Sequence, residues 1–164
     1  MTLNERLDHM RGLSAQLTPP QIRVVYTKAG TLLSAAVLDD PRVIVDTKTY
    51  WAPARDMREA HYLLSVLNSS AVLNQIIPMQ PRGWRDPRDF DNLVWELPIP
   101  EFDHLERLHQ ELADAAAEAE RVTTIVPLRE GAHFMRQRRA IRDALAEDGI
   151  AARIDALVAR LLDR

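Results

Sequence analysis

Apolar positions recur along this chain with two periods, and each period predicts a different kind of element. Leu3, Leu7, Met10, Leu13 and Leu17 fall three or four residues apart, which predicts an amphipathic helix over Asn4 to Leu17, stopped by Thr18-Pro19-Pro20. Between Gln21 and Pro53 the period shortens to two. Four short strands are expected there: Ile22 to Thr27, Thr31 to Leu38, Val43 to Val45, and Lys48 to Ala52 closed by Pro53. Turns at Lys28-Ala29-Gly30 and Asp39-Asp40-Pro41 are short enough to favour antiparallel pairing.

Helical spacing returns at Ala60, Leu63, Leu64 and Leu67, after a capping-box pair of Asp56 and Glu59. Asn68-Ser69-Ser70 is expected to interrupt this helix, because these side chains compete for backbone hydrogen bonds. Ser70 is the expected cap of a second short helix through Val72, Leu73, Ile76 and Ile77, ended by Pro78. Residues Gln80 to Asp91 hold too many Pro, Gly and charged residues for regular structure, and Leu93 to Leu97 reads as a strand returning to the sheet. A second capping box, Asp103 and Glu106, opens a long helix from His104 to Val126 with Leu105, Leu108, Leu112, Ala115, Ala119, Val122 and Val126 on a narrow seam. Its length would be roughly 33 Å at 1.5 Å per residue. Helices over Ala132 to Glu147 and Ala151 to Leu162 follow, separated at Gly149. The pattern predicts an α+β fold: a small antiparallel sheet packed against helices in residues 1–103, then a helical C-terminal part in 104–164.

Composition narrows the chemistry. Hydrophobic residues make up 46% of the 164, enough for a core, and there is no cysteine, which excludes disulfides and thiolate metal sites. The N-terminus has no signal-peptide pattern and no run is long enough to span a bilayer, so a cytoplasmic protein is expected. A formal net charge of −3 is unlike that of a nucleic-acid-binding domain, so any such contact must come from a local cluster.

Three blocks follow one another in the middle of the chain. They are Tyr50-Trp51-Ala52-Pro53 with Glu59-Ala60-His61-Tyr62-Leu63 and Leu67-Asn68-Ser69; Gln80-Pro81-Arg82-Gly83 with Arg88-Asp89-Phe90-Asp91 and Leu97-Pro98-Ile99-Pro100-Glu101-Phe102-Asp103; and Leu108-His109-Gln110-Glu111-Leu112-Ala113. In order and spacing, over roughly residues 23–122, they resemble the C-terminal target-recognition region of bacterial restriction–modification N6-adenine DNA methyltransferases. They are similar, more loosely, to Type I specificity subunits. The resemblance implies a non-enzymatic domain that reads duplex DNA and positions a methyltransferase catalytic subunit or domain. The glycine-containing S-adenosylmethionine loop and the Asn/Asp-Pro-Pro-Tyr/Phe motif of those enzymes are missing from the sequence, so the expected part is recognition without catalysis and without a cofactor. The rival reading is a protein–protein interaction module acting through the helical seam 105–126.

Two arginine groups are the candidate DNA contacts. Arg82, Arg85 and Arg88 lie in the irregular loop with Trp84; either they reach phosphates or guanine edges, or Asp86, Asp89 and Asp91 neutralise them. Trp84 either stacks on a base or pins the loop to the core. Arg136, Arg139 and Arg142, with Arg138 beside them, form the clearest basic cluster, read as either a phosphate-tracking face or a solvated one. Leu105, Leu108, Leu112, Ala119 and Val122 are the candidate partner interface, the alternative being packing within the chain. No pair among the five His has a convincing metal spacing, and His109 is expected to make a structural hydrogen bond. Tyr50, Trp51 and Trp95 are expected as strand aromatics in the core.

Overall fold

The computed structural model describes Ser14 and residues 19–80, 89–90 and 93–163. Apart from Ser14, the helix expected over Asn4 to Leu17 lies outside them. The fold is α+β. Strands β1 (Ile22–Thr27), β2 (Ala35–Leu38) and β3 (Thr49–Ala54) form an antiparallel sheet in the order β2-β1-β3. Helices α1 (Met57–Asn68) and α2 (Ser70–Ile76) follow, then α3 (Arg107–Thr124), α4 (Phe134–Asp148) and α5 (Ile150–Leu162).

Three strands form where four were expected, and the fate of Val43 to Val45 has a definite cause. Arg23 sits on the central strand with its side chain fully buried, and its Nη2 donates to the carbonyls of Asp40 (2.9 Å) and Val43 (2.8 Å). The segment 40–45 is therefore gripped by a guanidinium instead of joining the ladder, with Val45 buried and Val43 and Ile44 exposed. The guanidinium also lies 5.8 Å from the Trp51 ring centre, while its Nε and Nη1 are buried without a hydrogen-bond partner among the described residues. β2 begins at Ala35 rather than Thr31 because Thr27 holds the preceding turn: its Oγ1 donates to Leu32 O and accepts from Ser34 N. Pro53 lies inside β3 and not after it, a position open to proline because β3 is an edge strand.

Asp56 is the N-cap of α1, accepting from Glu59 N at 2.9 Å, and this bond, first among several causes, holds its carboxyl below the usual range. The expected box is displaced by one residue, since the Glu59 carboxylate reaches back to Arg55 N and to the Arg55 guanidinium. The break at residue 69 is present, but Ser69 is the cap of α2, accepting from Val72 N at 3.2 Å. Asn68 does something sequence reading did not foresee: its Oδ1 accepts from Ala35 N and its Nδ2 donates to Ala35 O, at 2.9 and 3.0 Å. A side-chain amide thus takes the place of a further strand beside β2 and blunts that edge.

Leu93 to Leu97 is not a strand. Residues Leu93–Glu96 form a 3-10 turn, with Leu93 N donating to Phe90 O and Leu97 N to Val94 O. That geometry buries Val94 completely and leaves Trp95 half exposed, its Nε1 donating to the Tyr26 hydroxyl at 3.0 Å. Trp95 is accordingly not the core strand residue that was expected. The long helix begins at Arg107, not His104, because Asp103 accepts from Leu105 N and Glu106 caps the helix through Leu108 N.

One apolar cluster joins the sheet to α1, α2, α3 and α5. It contains Val24 and Tyr26 of β1, Ala60, Tyr62, Val66 and Leu67 of α1, Leu108, Leu112 and Ala115 of α3, and Ile154, Val158 and Leu161 of α5. Leu112 is wholly enclosed. Replacing Leu112 by Asp should lower stability by a few kcal/mol, since it removes roughly 1.5–3 kcal/mol of apolar burial and enforces desolvation of an unpaired carboxylate. Thermal and urea unfolding of the variant measures this, and an unchanged midpoint would contradict the packing of α3.

Candidate nucleic-acid interface

The segment 81–88, which contains Arg82, Trp84, Arg85 and Arg88, lies outside the described residues; the residues at its two ends are described. Gln80 is buried, with its N–H bonded to Ile76 O, and its Nε2 donates across the loop to Asp89 O at 3.3 Å. Asp89 pairs with Ala29 in an isolated bridge, and Phe90, fully buried, donates from its N–H to Lys28 O at 2.8 Å. The segment thus starts and finishes at one place beside the β1–β2 connection.

A strap of residues 98–103 fastens the chain from this region to α3. Tyr62 of α1 donates its hydroxyl to Pro100 O at 2.8 Å, and burial pushes its phenol above the ordinary range. Its ring lies 5.5 Å from that of Phe102 and 4.8 Å from that of His109. His109 is buried and its Nδ1 accepts from Asp103 N at 3.0 Å, the structural hydrogen bond expected of it. Arg55 adds a bond to Phe102 O at 2.9 Å.

The second arginine group lies on α4, which has no buried residue along its length. Arg136, Arg139 and Arg142 are exposed; at 3.6 residues per turn they fan over roughly 120° of the helix. Arg139 lies 3.6 Å from Asp143, a loose pair on one exposed surface, and neither Arg136 nor Arg142 has an ion pair among the described residues. Arg138 is different. It turns inward, donating to Ser34 Oγ, and its guanidinium sits 5.3 Å from the Phe134 ring centre. Sequence spacing placed it in the cluster; its role is to tie α4 to the β1–β2 connection. Arg138 and Arg142 border a cleft of about 370 Å³ whose walls include Leu33, Asn68, Ser70 and Leu145. The basic flank, the helix break at Asn68 and the β1–β2 connection therefore share one side of the molecule.

The candidate partner seam divides. Leu108 and Leu112 face the interior of this chain, largely against α1, so this half of the seam is intramolecular packing. Leu105 precedes the helix and is 90% exposed, outside any seam. Ala119 and Val122 are partly covered, and beyond them Ile125 is 81% exposed. Among the described residues no group of three or more His, Asp or Glu is arranged to hold a metal ion. No described helix is long and apolar enough to cross a membrane. Comparison with known protein families, characterised proteins and solved structures finds no match for this chain.

The two kinds of arginine on α4 should separate in a stability measurement. Arg138→Ala is expected to cost about 1 kcal/mol through its lost bond and ring contact, whereas Arg142→Ala should stay within about 0.5 kcal/mol of the parent. Equal effects in urea titration would contradict the inward assignment of Arg138.

Proposed function

We propose that this chain is a DNA target-recognition domain or subunit, related to those of restriction–modification adenine methyltransferases, that positions a separate catalytic part on duplex DNA. The observation that carries the reading is the basic flank of α4. Arg142 and Arg139 stand exposed there on a helix with no buried residue, with Arg136 at the margin of the same fan. Long cationic side chains on one exposed helix face fit a row of phosphates. The tied ends of the segment 81–88 support the second half of the reading. Arg82, Arg85, Arg88 and Trp84 lie in sequence between the two joined anchors, and Arg and Trp are the residue types suited to base edges and to stacking.

The reading gives the two groups different tasks. Helix arginines contribute affinity without sequence preference, and loop arginines contribute discrimination. The net charge of −3 predicts weak binding by the isolated chain, so low ionic strength or the catalytic partner is required to observe it. The exposed apolar positions past the end of α3, Ile125 and Leu128, favour a second reading as a non-catalytic interaction module.

Fluorescence titration of duplex DNA at several salt concentrations distinguishes these. Arg139→Ala and Arg142→Ala should weaken binding to all sequences alike and reduce the salt slope by about one each. A loop Arg→Ala variant should instead cost about 1–3 kcal/mol on the cognate site and relax its specificity. Absence of DNA binding by the parent at every salt concentration, with the partner present, would leave the interaction-module reading in its place.

A further inference from the structure

The flank of α4 that faces away from Arg142 has a different character. Ala140 and Ala144 line one wall of a groove, and Val122, Ile125 and Val126 at the end of α3 line the other, with Asp143 and Glu147 on its rim. The groove measures about 410 Å³. Ile125 beside it is 81% exposed, a large apolar side chain left to solvent at the edge of an apolar channel. Charge along α4 is segregated: Arg136, Arg138, Arg139 and Arg142 all precede Asp143, Glu147 and Asp148.

We propose that this groove is the interface between two copies of the chain, whose α4 helices pack antiparallel about a two-fold axis between residues 141 and 142. A two-fold interface brings the same surface together with itself, so the surface must be complementary to its own reversed copy. The groove-side stripe of α4 meets that condition. Arg136, Ala140, Asp143 and Glu147 follow at steps of four, three and four, the spacing of a helix–helix seam. Reversal in this register sets Arg136 of one copy opposite Glu147 of the other, twice. It also sets Ala140 opposite Asp143, with Arg139 diagonal to that carboxylate. Small residues at Ala140 and Ala144 let the two backbones approach, and Ile125 of each copy then covers the other's apolar wall. A parallel arrangement would instead oppose Arg to Arg and Glu to Glu. Because the stripe lies on the far flank from Arg142, a dimer keeps that arginine and the neighbouring cleft open.

Sedimentation velocity of the full chain over a concentration series, at low and moderate salt, tests this. The parent should show a concentration-dependent dimer. Arg136→Glu and Glu147→Arg should each raise its dissociation constant on the order of tenfold or more, and the double exchange should restore association to near the parent value. Both positions are exposed, so circular dichroism should report unchanged folding in every variant. A parent that stays monomeric throughout overturns the proposal, as does a dimer indifferent to both single reversals or not restored by the double exchange. A dimer that forms but fails to bind DNA would leave this interface standing and remove only the DNA reading.

Discussion

The phenol of Tyr62 is wholly buried where α1, α3 and the strap 98–103 meet, with its hydroxyl on Pro100 O and its ring against Phe102 and His109. That contact holds the strap across α1, together with the Arg55 bond to Phe102 O, and brings it to the Glu106 cap where α3 starts. His109 closes the arrangement by accepting from Asp103 N, which sets the direction in which the backbone turns into α3. From there the register of α3 on α1 follows, through Leu108, Leu112 and Ala115, and α5 packs on the surface they leave. Burying a hydroxyl and an imidazole is costly unless each finds a partner, and here each partner belongs to the strap.

The residue blocks in the middle of the sequence largely hold this arrangement together. Asn68 clips the end of α1 to the edge strand, Ser69 starts α2, and Pro100, Phe102 and Asp103 form the strap. Their order and spacing follow from mechanical tasks, since a clip must fall at a helix end and a strap must reach a buried phenol. The groups suited to a ligand lie elsewhere, on the outer flanks of α4 and in the segment between Gln80 and Asp89.

Much of the fold was legible because local signals and tertiary packing agree. The strand positions of Ile22–Thr27, the Asp56 cap, the break after Leu67 and the Gly149 stop were all visible in the sequence, and Gly149 adopts the left-handed φ of 85° that such a stop uses. The misreadings have a common origin in side chains acting over long sequence distances. Val43 to Val45 has strand composition, but an arginine some twenty residues earlier claims its carbonyl. Leu93 to Leu97 is an apolar run of strand composition, but Phe90 and Tyr26 set a 3-10 path for it. The role of Tyr62 was not legible locally because its partners, Pro100 O and the rings of Phe102 and His109, lie some forty residues or more away. In the candidate interface, spacing found the arginine cluster but could not separate Arg138, which turns inward to Ser34, from the three that face solvent.

The proposed function requires a DNA-contacting flank that is distinct from the buried skeleton. Amide chemical-shift mapping of the chain against duplex DNA at low ionic strength tests this most directly. Under that proposal shifts concentrate in residues 138–143 and near Gln80 and Asp89, with the amides around Tyr62, Leu108 and Leu112 unmoved. Shifts centred on the buried α1–α3 contact or on the groove around Glu147, or no shift at all, would contradict it.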